Sequence, residues 1–198
     1  MRTLTRSPKG DLLRDVNQLD AADWRPIEGI GRLFYKGEAH GTVVRRIVDN
    51  QLHSYVWNQG TPTDYAVFDA PENLTVGYHP ILHEAWKMNF VDIASSAWQE
   101  VLTHTVSNTW NGRSLGHGMK LKSSARFEGI EDVVTPAGRF RCERFTWLTP
   151  FDKELHIWRT GPLRILVKEV VAKGDKHGTT YELAEFAEEK VHWSAEER

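Results

Sequence analysis

Apolar and polar residues alternate along most of this chain with a period of two. Side chains of a β-strand point alternately to its two faces, so this period indicates strands with one buried face. Turn residues separate the apolar runs at spacings of about ten residues. The pattern gives twelve candidate segments, from which we expect about ten strands: 32–36, 42–48, 51–58, 64–69, 74–78, 98–107, 119–127, 129–134, 139–148, 154–159, 163–172 and 179–186.

The N-terminal 31 residues depart from this alternation. Leu12, Val16 and Leu19 recur at helical spacing, and Asp11 offers a side-chain oxygen to cap a first turn. We therefore expect residues 1–31 to form a lead-in with one short helix.

A second helical pattern lies near the middle of the chain. Leu82, Trp86 and Phe90 share a helical stripe, and Pro80 fits the first position of a helix because its missing N–H needs no partner there. This pattern predicts one longer helix near residues 80–96, packed on the sheet or across one mouth of it.

The chain reads as one domain of 198 residues. We expect the lead-in, a β-barrel over residues 32–187 and a polar tail over residues 188–198. Asp49-Asn50, Asn111-Gly112 and residues 135–138 are the clearest turn signals. Short strands at regular spacing, with few helices between them, are typical of an antiparallel sandwich or barrel.

Composition narrows the function classes. The net charge is −2, which does not favour nucleic acid, and no apolar run is long enough for a membrane span or a signal peptide. The single cysteine, Cys142, rules out an intrachain disulfide and fits a buried apolar position in a cytoplasmic protein. Eight tryptophans supply large rings for a core or for a ligand pocket.

Two segments resemble a known group of proteins. Thr135-Pro136-Ala137-Gly138 links two strands, and the strand bearing His156 and Trp158 reaches the next strand through the Gly161-Pro162 turn. Over residues 129–168 this run resembles open-barrel bacterial proteins related to lipoprotein carriers and lipocalin-like folds. The resemblance implies a lipocalin-like antiparallel β-barrel, open or closed, with a ligand-sized interior, and it carries no catalytic motif.

The first candidate site lies on the strand 51–58. Alternation places His53, Tyr55 and Trp57 on one face. If that face points inward, His53 is a general base, Tyr55 stabilises a developing oxyanion, and Trp57 stacks on an aromatic substrate. The alternative is that this face is solvated and that Leu52 and Val56 point inward.

The second candidate site lies on the strand 154–159. Glu154, His156 and Trp158 share a face, and a carboxylate near an imidazole can fix its tautomer. His156 is the second catalytic histidine of this hypothesis, and Trp158 and Trp147 are ligand-binding walls. The alternative is a mixed edge strand.

Two further residues complete the predicted ligand contacts. Arg144 pairs with a carboxylate or phenolate of the ligand if it points inward, since a buried guanidinium needs a partner. His83 contacts the ligand at the pocket mouth. His79 and His83 are four residues apart, but no third ligand is evident, so no metal site is predicted.

These features favour a cofactor-independent lyase, isomerase or hydratase acting on a hydrophobic, aromatic or polycyclic small molecule. A non-enzymatic carrier or sensor of the same ligand needs the same pocket without an acid–base pair. A haem-binding barrel with one axial histidine is the third alternative. We expect no cofactor, no nucleic acid partner and no membrane span. Whether the protein forms a homodimer stays open.

Overall fold

The computed structural model describes residues 2–6, 10–78, 81–106, 115–174 and 178–187. The described residues contain thirteen strands in two sheets. The first sheet is a meander in the order β1-β2-β3-β4-β5-β6. Its strands are β1 (Arg2–Arg6), β2 (Leu12–Asp20), β3 (Pro26–Tyr35), β4 (Glu38–Val48), β5 (Gln51–Asn58) and β6 (Asp64–Asp69).

The second sheet follows in the order β13-β12-β11-β10-β9-β8-β7, antiparallel apart from the parallel pair β7–β8. Its strands are β7 (Leu74–Gly77), β8 (Gln99–Thr105), β9 (Met119–Thr135), β10 (Gly138–Leu148), β11 (Glu154–Thr160), β12 (Ile165–Lys173) and β13 (Thr180–Glu182). The sheet curls back at its far end: Leu183 N–H donates to Val167 O and Ala137 N–H donates to Leu183 O. The fold is mainly β, in two sheets rather than one ten-stranded barrel.

The predicted helix near residues 80–96 is much shorter in the structure. Helix α1 spans His83–Lys87, and a 3₁₀ turn, Met88–Phe90, continues it. The segment then passes through bends and a turn over residues 91–98 before β8 begins. The stripe through Trp86 does pack on the second sheet, beside buried Ala85 and Met88.

The predicted N-terminal lead-in and its short helix are wrong. Residues 12–20 form β2, paired with β3 along its whole length. Val16 is buried in the main core, whereas Leu19 is exposed on the opposite face. Three apolar residues at helical spacing cover only two turns, and strand pairing supplies more hydrogen bonds than so short a helix.

The turn signals are confirmed where the structure describes them. Asp49 and Asn50 have φ of 49° and 59°, the two left-handed residues that a tight β4–β5 hairpin needs. Residues 136 and 137 connect β9 to β10. The Asn111-Gly112 signal, His79 and the polar tail lie outside the described residues.

The main core fills the space between the sheets. Leu33, Val43 and Leu52 come from the first sheet, and Leu74 and Leu102 come from the second. A second cluster packs α1 onto β10 and β11. A third, small cluster holds the free Cys142, fully buried as expected. No helix in the described ranges is long and apolar enough to cross a membrane.

Candidate functional site

On β5 the second alternative holds: the face of His53, Tyr55 and Trp57 points outward, and Leu52 and Val56 point inward. Tyr55 is 45% exposed and Trp57 is 37% exposed, whereas Leu52 is fully buried and Val56 is 4% exposed. The aliphatic side chains fill the core, and the strand period then directs the aromatic set to solvent.

His53 does meet a tyrosine, on this exposed face. Its Nδ1 lies 2.8 Å from the hydroxyl of Tyr65 on β6, and the Tyr65 ring stacks on Tyr55 at 4.6 Å. These rings lie against one another at the surface and enclose no cavity. The catalytic roles predicted for His53 and Tyr55 stay predictions.

The second predicted group assembles on one face of β10 and β11. His156 Nδ1 lies 3.5 Å from Arg144 Nη2, and His156 Nε2 lies 3.3 Å from a carboxylate oxygen of Glu154. The Arg144 guanidinium lies over the Trp158 ring at 5.3 Å. Three predicted residues therefore meet, held by a same-strand carboxylate and by cross-strand neighbours.

The two predicted groups do not form one site. His53 and Tyr55 belong to the first sheet, and His156 belongs to the second; each contacts residues of its own sheet. The prediction that facing strands would bring them around a common pocket is wrong. Two other predicted residues lie elsewhere: His83 is the first residue of α1, and Trp147 on β10 packs against that helix.

A cleft lies between α1 and the β2–β3 hairpin, and we call it the α1 cleft. Its empty volume of about 280 Å³ includes space open to solvent, and its enclosed space is about 10 Å³, room for about one water molecule. Its lining residues are Gln18, Asp20, Trp24, Pro26, Thr75, Val76, His83, Trp86, Lys87 and Phe90.

Aromatic rings form the walls of the α1 cleft. Trp24 lies in the tight β2–β3 turn, where Ala21 N–H donates to Arg25 O at 2.8 Å. Its φ of 68° is in the left-handed region, which is costly for a bulky residue. The turn sets Trp24 against Trp86 with centroids 5.7 Å apart, and Trp86 stacks on His83 at 5.1 Å.

His83 is a polar residue that lines the α1 cleft. It is buried, and neither ring nitrogen has a hydrogen-bond partner among the described residues. Burial, and next the charge of Lys87, lower the pKa of His83 to about 3. The imidazole is therefore neutral near pH 7 and offers one N–H donor and one nitrogen acceptor.

A carboxyl lies across the cleft from this imidazole. Gln18 Nε2 donates to Asp20 at 2.7 Å. Burial raises the pKa of Asp20 above its usual value, against the opposing effect of that hydrogen bond. The cleft thus combines a neutral imidazole with a partly desolvated carboxyl.

A buried charge cluster lies directly behind α1. Lys87 Nζ donates to Glu84 at 2.6 Å and lies 4.7 Å from the centre of the Trp147 ring. Glu169 on β12 is buried beside them, and burial, and next the Glu84 charge, raise the pKa of Glu169 to about 9. Trp147 is thus a support behind the cleft rather than one of its walls.

Arg159 fixes the position of α1. Its Nη1 donates to Ala85 O at 3.0 Å and to Asn89 Oδ1 at 2.7 Å, and its Nε donates to Glu143 at 2.8 Å. A five-residue helix is not stable on its own, so these bonds and the apolar packing hold it in place. The cleft therefore depends on β11 as well as on its own walls.

Sequence reasoning missed most of the α1 cleft. Trp24 and Asp20 belong to a hairpin in the segment that was expected to be a lead-in. The available signal was the i, i+3 spacing of His83 and Trp86, which places both on one side of a helix. No group of three or more His, Cys, Asp or Glu within the described ranges is placed to hold a metal ion.

Comparisons with known proteins support the fold alone. No protein-family model and no curated protein matches the sequence. The chain is similar to a β-barrel-like protein of the domain of unknown function DUF1849 from Brucella abortus, with 11% identity and a TM-score of 0.51 over 88% of this chain and 75% of that one. A candidate lipoprotein from Parabacteroides distasonis aligns at 11% identity and a TM-score of 0.30, over 90% of this chain and 88% of that one.

Proposed function

We propose that this protein binds a small, single-ring aromatic compound in the α1 cleft. The observation that carries the proposal is His83, whose two buried ring nitrogens have no hydrogen-bond partner in the part of the chain that the structure describes, in a cleft walled by Trp24 and Trp86. Buried polar atoms are nearly always hydrogen-bonded, so two vacant positions on one ring favour a ligand that supplies both partners.

The size of the cleft limits the ligand. The enclosed space is only about 10 Å³, so a single ring binds at the open side of the cleft or moves Trp24 and Trp86 apart, and a polycyclic compound has still less room. The aromatic walls favour a planar, apolar body, and His83 favours an edge that carries a hydrogen-bond donor and an acceptor, such as an amide.

Binding fits the electrostatics of the cleft better than catalysis does. A general base works best when its pKa is near the working pH, and the pKa of His83 is lowered to about 3. His83 is therefore a poor proton acceptor near neutrality and a good neutral hydrogen-bonding group. The lowered pKa of His83 therefore favours a carrier or sensor function over lyase or isomerase activity.

Asp20 is the residue that favours catalysis as a second candidate function. Its raised pKa brings a carboxyl towards the range of a useful base, and it lines the same cleft as the aromatic walls. In this alternative Asp20 moves a proton of the bound compound, and His83 hydrogen-bonds the reacting group.

The test is a fluorescence titration with single-ring compounds, using benzamide, phenol and 3-phenylpropanamide, followed by mass spectrometry of each recovered binder. We expect saturable quenching that is lost in His83→Ala and in Trp24→Leu and kept in the control Trp98→Phe, whose tryptophan is exposed outside the cleft. Failure of all three compounds to bind contradicts the proposal. Recovery of a changed compound, abolished in Asp20→Asn, favours the enzyme.

A further inference from the structure

Both edges of the first sheet are open in the part of the chain that the structure describes. The sheet has the order β1-β2-β3-β4-β5-β6, so β1 pairs with β2 alone and β6 pairs with β5 alone. No backbone hydrogen bond joins either strand to another described element. An open edge presents backbone N–H and C=O groups that can pair with a further strand.

Strand β6 lacks most of the features that protect a sheet edge from pairing. It contains no lysine, proline or glycine, and its register with β5 runs without a bulge. Tyr65 is 49% exposed and Val67 is 40% exposed on the face that points away from the core. Such an edge favours the addition of another strand.

The two open edges carry opposite charges. Strand β1 begins and ends with Arg2 and Arg6, and β6 begins and ends with Asp64 and Asp69. Asp64 already lies 3.1 Å from His117 Nε2, whereas neither Arg6 nor Asp69 has an ion-pair partner among the described residues. Two β1 edges or two β6 edges therefore repel each other, while β1 of one copy attracts β6 of another.

The strand directions fit the same arrangement. The first sheet is an antiparallel meander of six strands, so β1 and β6 run in opposite directions. When two copies lie side by side in the same orientation, β1 of one copy therefore runs antiparallel to β6 of the next. Each copy then continues the sheet of its neighbour, with the usual twist between adjacent strands.

One register matches the side chains of the two edges. Each strand exposes three side chains on the outer face of the sheet: Arg2, Leu4 and Arg6 on β1, and Tyr65, Val67 and Asp69 on β6. Directly opposite residues of an antiparallel pair share a face, so these outer residues meet one another. Setting Leu4 opposite Val67 joins two exposed apolar side chains. The same register brings Arg2 opposite Asp69 as an ion pair. It also brings Arg6 opposite Tyr65 as a cation–π contact.

Arg2 can form this ion pair without losing the partner it has in its own chain. Its Nε and Nη2 donate to Asp15 at 3.0 and 3.1 Å, and its Nη1 has no hydrogen-bond partner among the described residues. Asp15 also lies 3.5 Å from Arg32 Nη1. The Arg2 guanidinium can therefore bridge Asp15 and a carboxylate across the edge.

We propose that this protein assembles head to tail, by pairing β1 of one copy with β6 of the next in the register that sets Leu4 opposite Val67. None of the residues that line the α1 cleft lies on β1 or β6, so the assembly does not depend on ligand binding. The two paired surfaces differ, so each contact leaves one open edge at either end and produces an open series rather than a closed dimer. Strand β1 has five residues, and so short a contact falls below the roughly 1,000 Å² of a stable interface, so the association is weak.

The experiment is sedimentation velocity over about 10 μM to about 1 mM protein, the range suited to a weak association. The weight-average sedimentation coefficient of the natural protein should rise with concentration. Leu4→Glu places a carboxylate beside Asp69 of the next copy, and Val67→Lys places a cation between two arginines. Both side chains are exposed, so each change should leave the fold intact and weaken the association severalfold.

The double variant Leu4→Glu/Val67→Lys decides between this pairing and other contacts. Four strands separate the two positions within one copy, so their new charges meet only between copies and should restore the association. The matched control is Val134→Lys, at an exposed position of the second sheet, which should associate like the natural protein. A natural protein that stays monomeric at every concentration overturns the proposal. Single variants that associate normally, or a double variant that regains nothing, also overturn it.

Discussion

Replacing Glu169 with glutamine should stabilise the folded protein at neutral pH. Glu169 is 1% exposed beneath α1, and its Oε2 has no hydrogen-bond partner among the described residues. Loss of hydration disfavours the charged carboxylate, and Glu84 adds repulsion, so the pKa is raised from 4.5 to about 9. At pH 7 this carboxyl is protonated in the folded protein and ionised in the unfolded chain.

The size of the effect follows from proton linkage. The favourable contribution of protonated Glu169 is complete below its unfolded pKa of 4.5, and it is lost as the pH rises towards the folded pKa of about 9. Each pH unit in this window lowers the free energy of unfolding by about 1.4 kcal/mol, so about 3 kcal/mol is lost at pH 7. Glutamine has a similar shape and no charge to lose, so Glu169→Gln should recover about 3 kcal/mol.

Urea denaturation at about pH 7.5 and about pH 8.5 tests this reasoning. The natural protein should become less stable by about 1 kcal/mol between the two conditions, and Glu169→Gln should not. Glu100→Gln, at an exposed position, is the matched control and should follow the natural protein. Parallel behaviour of the natural protein and Glu169→Gln would refute a buried, protonated Glu169.

Three further substitutions test other parts of the fold. Gly118→Ala should destabilise the protein by at least about 2 kcal/mol in thermal or urea unfolding, because Gly118 has φ of +77° and a Cβ there would lie 1.4 Å from Thr105 O; an unchanged melting temperature would contradict this close approach. Glu143→Gln should cost about 3 kcal/mol by leaving Arg159 without its countercharge, and urea unfolding that matches the natural protein would show that Arg159 does not depend on the pair. His104→Leu should reduce acid sensitivity: the pKa of His104 is lowered from 6.5 to about 3, so stability falls as the pH drops below 6.5, and the variant should lose about 2 kcal/mol less than the natural protein between pH 6.5 and pH 5. If the natural protein and His104→Leu lose the same free energy of unfolding between these two pH values, His104 is not a buried neutral imidazole.

Alternation and turn chemistry were enough to predict most strands from residue 32 onward and several hairpins, but not β1 or β2. The β4–β5 hairpin shows why: Asp49 and Asn50 tolerate left-handed backbone, and the flanking strands carry regular apolar positions. It was harder to predict which face of each strand is buried, because the period of two shows only which residues share a face. On β5 the aliphatic residues Leu52 and Val56 lie in the core, and the aromatic residues Tyr55 and Trp57, which suggested a pocket, point to solvent.

The candidate site was hard to predict because its residues break local patterns. Trp24 lies in a turn with an unfavourable φ, and β2 directs the polar residues Gln18 and Asp20 towards the cleft. Such positions read as loop or lead-in when each segment is considered alone. The burial of Arg45 was also hard to predict, because an arginine in a strand is usually exposed and only the packing of the two sheets shows that this one is buried.

Long-range proton–nitrogen NMR of the histidine rings is the most direct test of the central claim. In the free protein, His83 should give the signals of a neutral imidazole near pH 7. Addition of 3-phenylpropanamide should shift both His83 ring nitrogens, while those of His53 and His156 stay in place. Shifts confined to His53 or His156, with His83 unmoved at saturation, would contradict a ligand site in the α1 cleft.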